Sequence, residues 1–223
     1  MAVVCAMLWR IVGDLDDKTK QTIFFAAVII FVYRAMPLVG QGYTWFTIDV
    51  LGFDEAFQGM LAQIGAGLAL LGMWLFSDAI TRRPVAQVLL WLTVITTVLS
   101  LPAFGLTLGL ADWTEEMFGF GARTIAIIDT ATTSPFAQLS MIPLLTLIAI
   151  YAPAGHRATW FALMASLMNL ALVAGALQTK YLNEIFVVGR GDYGNLPYIV
   201  GICLILGFVL PLVAIFAFGR RLQ

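Results

Sequence analysis

The chain has 223 residues, 61% of them hydrophobic and only 11% charged, with a formal net charge of −1. A soluble globular domain carries roughly a quarter charged residues, so this composition excludes an ordinary water-borne domain and points to a chain that lives in a bilayer. The near-zero charge, with no basic tail and no interleaved aromatic patch, also argues against a nucleic-acid partner.

Residues 1–20 read as a cytoplasmic N-terminal segment or the stump of a preceding helix. MAVVCAMLWRIVG lacks the basic start and small-residue cleavage site of a signal peptide, and its apolar run is too short to span. Asp14, Asp16 and Asp17 then read as acids at a helix start, favoured by the helix dipole, rather than a metal cluster. Cys5 and Cys203 lie in apolar stretches without CxxC or Cys/His spacing and read as small apolar residues.

A spanning helix needs about 20 mostly apolar residues. Six stretches qualify, 21–39, 55–77, 84–110, 124–151, 158–180 and 196–218, leaving 219–223 as a tail. Lipid offers the backbone no hydrogen-bond partner, so each must be a helix. The predicted fold is all-α: a polytopic membrane protein with six transmembrane helices and the bilayer as its first partner. Arg10, Lys18, Lys20, Arg82, Arg83, Arg157, Arg220 and Arg221 fall on one side of these spans. The opposite loops hold only Arg123 and Arg190, beside seven acids: Asp49, Asp54, Asp112, Glu115, Glu116, Glu184 and Asp192. The positive-inside rule then puts both termini in the cytoplasm, in an inner membrane, with Tyr43, Trp45, Trp113, Tyr181 and Tyr193 in an outer aromatic belt.

The first span carries Arg34. An arginine inside a span costs at least about 2.5 kcal/mol unless it faces water or an acid, so Arg34 is read as facing a wet cavity, with snorkelling to the interface as the alternative. Pro37 just beyond it ends or bends the helix. In the second span Gln58, Ala62, Gly65, Ala69 and Gly72 form one stripe where another helix can approach closely. The third places Thr93, Thr97, Ser100 and Thr107 on one face, as hydrogen-bonding glue between helices or as cavity lining.

The fourth span is the most informative. Asp129, Thr133, Phe136, Ser140 and Pro143 share a face, and Pro135 and Pro143 interrupt the hydrogen-bond ladder. A carboxylate there is costly unless paired, hydrated or protonated, which makes Asp129 the candidate proton-coupling group, with a place in the outer interface, about five residues into the span, as the alternative. In the fifth span Ala162, Ser166, Asn169, Ala176 and Lys180 share a face. Asn169 is at mid-membrane and needs a partner, while Lys180 is near the outer end. His156 reads as a surface residue. The Gly189, Gly191 and Gly194 run has no strand before it and is rejected as a nucleotide fingerprint. The sixth span is plainly apolar, with Pro211 as a kink.

The loop GMWLFSDAITRRP resembles a degenerate cytoplasmic gate motif of major facilitator transporters, in Gly72, Asp78, Arg82 and Arg83. Longer stretches are similar to the C-terminal half of the folate–biopterin transporter family. They are RAMPLVGQGYTWFTIDVLGFDEAFQGMLAQIGAGLALLG, IIDTATTSPFAQLSMIPLLTLIAIYAPAGHRATWFALMASLMNLA and LQTKYLNEIFVVGRGDYGNLP. The resemblance implies half of a major facilitator fold, a secondary transporter moving pterin or folate-like compounds as a proton symporter. It also implies a second six-helix half, supplied by the chain itself or by another, because the site lies between two bundles. Folate is anionic, so Arg34 and Lys180 become its charge partners. Substrate or proton passage is expected at Arg34, Asp129, Thr133, Ser140, Asn169 and Lys180. A non-transporting scaffold or assembly factor that kept the fold is the competing reading. The sequence offers no cofactor motif, no HExxH, no metal cluster and no Ser/His arrangement, so no enzyme is expected.

Overall fold

A computed structural model describes residues 16–152 and 157–219, with Ala6 and Gly13. Cys5, Arg10, Asp14, His156, Arg220 and Arg221, named above, lie outside the described residues, as does most of 1–20 and 219–223.

Ten helices are described, and the described residues form no strand beyond an isolated bridge between Gly189 and Asp192. The first is α1, Asp17–Arg34, capped by the Asp16 side chain on the Thr19 N–H. Next come α2 (Gln41–Asp49), α3 (Glu55–Thr81), α4 (Val85–Leu99), α5 (Leu101–Thr107) and α6 (Leu110–Phe118). They are followed by α7 (Ala122–Ala137), α8 (Met141–Ile150), α9 (Arg157–Ile185) and α10 (Leu196–Phe218).

Five stretches are long and apolar enough to cross a membrane: Glu55–Thr81, Val85–Thr107, Ala122–Ile150, Arg157–Ile185 and Leu196–Phe218. These are the expected second to sixth spans. The first is shorter than read from the sequence. Helix α1 stops at Arg34 instead of running to residue 39, because Pro37 removes a donor and pushes Met36 out of the helical region. Its 18 residues rise about 27 Å at 1.5 Å each and carry Asp17, Lys18, Lys20 and Arg34. After the non-helical residues 35–40 the chain turns on Gly40, at φ +80, into α2.

Two other spans are jointed. The third breaks between α4 and α5 at Ser100, just before Pro102. The fourth breaks at residues 138–140, just ahead of Pro143, which has no N–H for the Leu139 carbonyl, while α7 runs through Pro135; the sequence marks both prolines as interruptions. Helix α10, by contrast, runs through Pro211 unbroken. The stretch expected as a loop at 111–123 contains a helix, α6, framed by Gly109 and Gly119 in left-handed conformations that only glycine adopts freely.

The main core joins five helices. Ile23, Ile29 and Ile30 of α1 meet Leu89, Leu144, Leu147, Trp160, Met164 and Ile215. The Trp160 indole N–H, fully enclosed, donates to the Ile148 carbonyl at 2.8 Å. Helix α10 packs on α1 and α4, and α9 packs on α1. Helix α3 stands outside this cluster and packs chiefly along α7, leaving large apolar residues such as Leu70 and Trp74 uncovered. The stripe read from the sequence explains the close approach. A Cβ on Gly65 would meet the Ser134 hydroxyl at 3.1 Å, and one on Gly72 would meet the Pro135 Cα at 2.6 Å.

Candidate functional site

The break after Arg34 exposes backbone groups that a continuous helix would satisfy, and α9 takes their place. Gln178 Nε2 donates to the Ala35 carbonyl at 2.7 Å, and the Leu38 N–H donates to Thr179 Oγ1 at 2.8 Å. Gly175 lets the two backbones touch, since a Cβ there would stand 2.6 Å from the Met36 carbonyl oxygen. Sequence reasoning singled out none of Gly175, Gln178 and Thr179. The available signal was a glycine followed by two hydrogen-bonding side chains deep in an apolar helix, opposite a proline-broken one.

Arg34 ends α1, where the negative end of the helix dipole favours a cation. It is half-buried, and its Nε is enclosed without a hydrogen-bond partner. Asp129, also half-buried, is on α7. Its Oδ1 is enclosed and unpartnered as well, and among the described residues these are the two buried side-chain polar atoms so left. An enclosed polar atom without a partner is costly, and the rest of each side chain, being half-buried, is left accessible. The two do not satisfy each other, since no ion pair joins them. Tyr43 of α2 lies near the carboxylate: burial, and then the negative charge of Asp129, push its hydroxyl up to about 12.

The remaining expected residues divide. Thr133 is half-buried and donates to the Asp129 carbonyl at 2.7 Å, and Ser140 is half-buried at the joint between α7 and α8. On α9, Ala162, Ser166, Asn169, Ala176 and Lys180 are all exposed, so this face is uncovered by the described chain. Among the described residues Asn169 has no hydrogen-bond partner, whereas Lys180 lies 3.6 Å from Glu184 on the same helix. The third span's hydroxyls mostly bond their own helix rather than a neighbour: Thr97 to the Thr93 carbonyl, Ser100 to Thr96 and Thr107 to Phe104. Thr93 bonds back to Leu89 and also meets the Tyr33 hydroxyl from α1.

At the other end of the bundle Arg82 lies 3.4 Å from Asp78, both exposed, while Arg83 is exposed and Gly72 is spent on packing against Pro135. At the acidic end the two expected lone cations each join two segments. Arg190 donates through Nε and Nη2 to Asp49 at 3.2 Å, and the Tyr193 hydroxyl donates to the same carboxylate. The Arg190 guanidinium, then Tyr193, hold Asp49 below the usual carboxylate range. Arg123 joins Asp54 at 3.1 Å and the Gly52 carbonyl at 3.0 Å, and sits over the Phe57 ring. Among the described residues no group of His, Cys, Asp and Glu could hold a metal ion.

Residues 6–221 match the BT1 family. The chain is 30% identical over 197 residues to the "Folate-biopterin transporter" of Synechocystis sp., covering 86% of this chain and 38% of that protein. It is 23% identical over 203 residues to "Folate transporter 2" of Plasmodium falciparum, covering 90% of this chain and 44% of that protein. The chain thus spans less than half the length of these relatives. Both are named as transporters, in line with the expectation that the chain is no enzyme. No solved structure matches it.

Proposed function

The chain belongs to the BT1 family, and from that premise we propose that it forms one six-helix half of a proton-coupled secondary transporter for pterin or folate-like compounds. The observation that carries this reading is a pair of half-buried charged side chains, each with one enclosed atom that has no hydrogen-bond partner, Arg34 Nε and Asp129 Oδ1. A scaffold would be expected to pair them with each other, and they are not paired. A carrier leaves them for substrate, proton and water. Arg34 is the cation for an anionic substrate, and Asp129 the carboxylate that binds and releases the coupled proton. Thr133 and Ser140 line the same span. Asn169 and Lys180 lie on the α9 face that a second half would meet across the path, because such sites form between two bundles.

The family's architecture would then be that of a major facilitator half, with Asp78, Arg82 and Arg83 at the cytoplasmic gate and both termini in the cytoplasm of an inner membrane. Support for the orientation is the gathering of Asp49, Asp54, Arg123 and Arg190 at one end, away from Arg82 and Arg83. The test is uptake of labelled folate or biopterin into vesicles that carry the chain with its second half. Uptake that is driven by an inward proton gradient and lost without it supports the reading. Uptake of neither compound would remove it.

A further inference from the structure

Tyr43 is half-buried in the first turn of α2, and its seat is tight. Gly42 before it lies against Val188, where a Cβ would stand 2.9 Å from Cγ1. The Tyr43 ring is 6.2 Å from that of Phe46, which packs on Leu196 and Val200. Tyr43 forms part of the wall of a cavity of about 270 Å³, with Ser100 and Ala103 of the third span and Cys203 of α10.

Helix packing brings Asp129 to the same wall. Ile125 of α7 packs on Leu106 of α5. The two helices belong to consecutive spans and run antiparallel. One turn on from Ile125 is Asp129, and one turn back from Leu106 is Ala103. Asp129 therefore comes level with Ala103, beside the cavity that Tyr43 lines. The action of the Asp129 charge on the Tyr43 hydroxyl agrees with that placement.

Each of the two groups lacks what the other supplies. Asp129 Oδ1 is enclosed and accepts no hydrogen bond, and among the described residues the Tyr43 hydroxyl has no hydrogen-bond partner. Held at about 12, that hydroxyl keeps its proton at neutral pH and can donate it to a hydrogen bond. Competing donors are spent or missing. The hydroxyls of Thr93, Thr96, Thr97, Ser100 and Thr107 bond carbonyls of their own span. Helices α4 and α5, and α3 between residues 56 and 77, carry no ionisable side chain. The Cys203 thiol is a weak donor.

We propose that Tyr43 is a positioning residue for the proton site: its hydroxyl donates a hydrogen bond to the Asp129 carboxylate when that group is charged, and lets go when the carboxyl takes up a proton. The inference rests on Asp129 being the proton-binding group of the reading above. The hydroxyl then holds the carboxylate in one orientation between release of one proton and uptake of the next.

Tyr43→Phe tests this, because it keeps the ring and removes only the hydroxyl. The first measurement is infrared difference spectroscopy of the chain with its second half in lipid vesicles. The carboxylate band of Asp129 is the one lost in Asp129→Asn, and it should move in Tyr43→Phe. The second is proton-driven uptake of labelled biopterin, whose maximal rate should fall about tenfold in Tyr43→Phe, with KM changed by less than about twofold. A ring that serves packing alone would move neither readout. An unmoved Asp129 band would overturn the proposal, and so would driven uptake equal to that of the unaltered protein. The infrared measurement needs no substrate. Absence of uptake by the unaltered protein would therefore count against the transport reading, while the band still decides whether hydroxyl and carboxylate meet.

Discussion

Gly72 of α3 lies directly against the backbone of Pro135 in α7, so close that a Cβ on it would stand 2.6 Å from the proline Cα. Helix α3 touches the rest of the bundle chiefly along α7. One glycine therefore sets how closely a whole span can dock.

Replacing Gly72 should force the two helices apart. Overpacking against rigid backbone costs typically 1–3 kcal/mol, and Gly72→Leu should reach or exceed that range. Gly67→Ala, which meets nothing within 4 Å, should not destabilise the protein and should stabilise it by up to about 1 kcal/mol, since alanine is the better helix former. Thermal unfolding in detergent, followed by size-exclusion chromatography, measures both. Equal stability of the two variants would show that the close approach is not what holds α3.

The break after Arg34 should depend on α9. Gln178→Ala and Thr179→Val each remove a hydrogen bond to the unwound segment and leave a backbone group unpaired, at about 1–3 kcal/mol. Gly175→Ala should cost more, because its Cβ meets the Met36 carbonyl oxygen. Hydrogen exchange at residues 35–40 should accelerate in all three variants. Unchanged exchange would mean that Pro37 alone shapes the segment.

The Asp49–Arg190 clasp makes a pH prediction. The carboxyl of Asp49 is held below its ordinary value, by Arg190 first and then by Tyr193. A lowered pKa contributes stability that is present above the unfolded value, about 3.9, and is lost as pH falls through the folded one. The clasp should therefore hold across neutral and mildly acidic pH and open only in stronger acid. Because the pair is exposed, its net effect on stability is small, so the readout must be local. A spin-label distance between α2 and residue 188 should lengthen in Asp49→Asn at neutral pH. In the unaltered protein it should lengthen only below about pH 4. Opening between pH 5 and 7 would contradict this.

Much of this was legible in the sequence because bilayer thickness dictates helix length and proline dictates where helices break. The second to sixth spans and the joint ahead of Pro143 follow from those rules, and the packing stripe through Gly65 and Gly72 follows from small residues at helical spacing. The early end of α1 was only half legible: Pro37 marked a break, but a run of apolar residues does not say at which residue the helix stops. Helix α6 was missed because its acids, Asp112, Glu115 and Glu116, read as a loop between spans. The clamp from Gly175, Gln178 and Thr179 was invisible because it is a contact between elements about 140 residues apart, and spacing within one helix cannot report it. Arg34 and Asp129 stood out because charge in an apolar run is costly. That they are not paired with each other needed coordinates.

The most direct test of the central claim is proton-driven uptake of labelled folate or biopterin by vesicles carrying the chain and its second half, with Arg34→Gln and Asp129→Asn compared with the unaltered protein at equal amounts of folded protein. Arg34→Gln should lower uptake at least tenfold, chiefly by weakening substrate binding. Asp129→Asn should abolish the response to an imposed pH gradient while leaving binding of the substrate measurable. Uptake by both variants equal to that of the unaltered protein, with the same dependence on the gradient, would contradict the account.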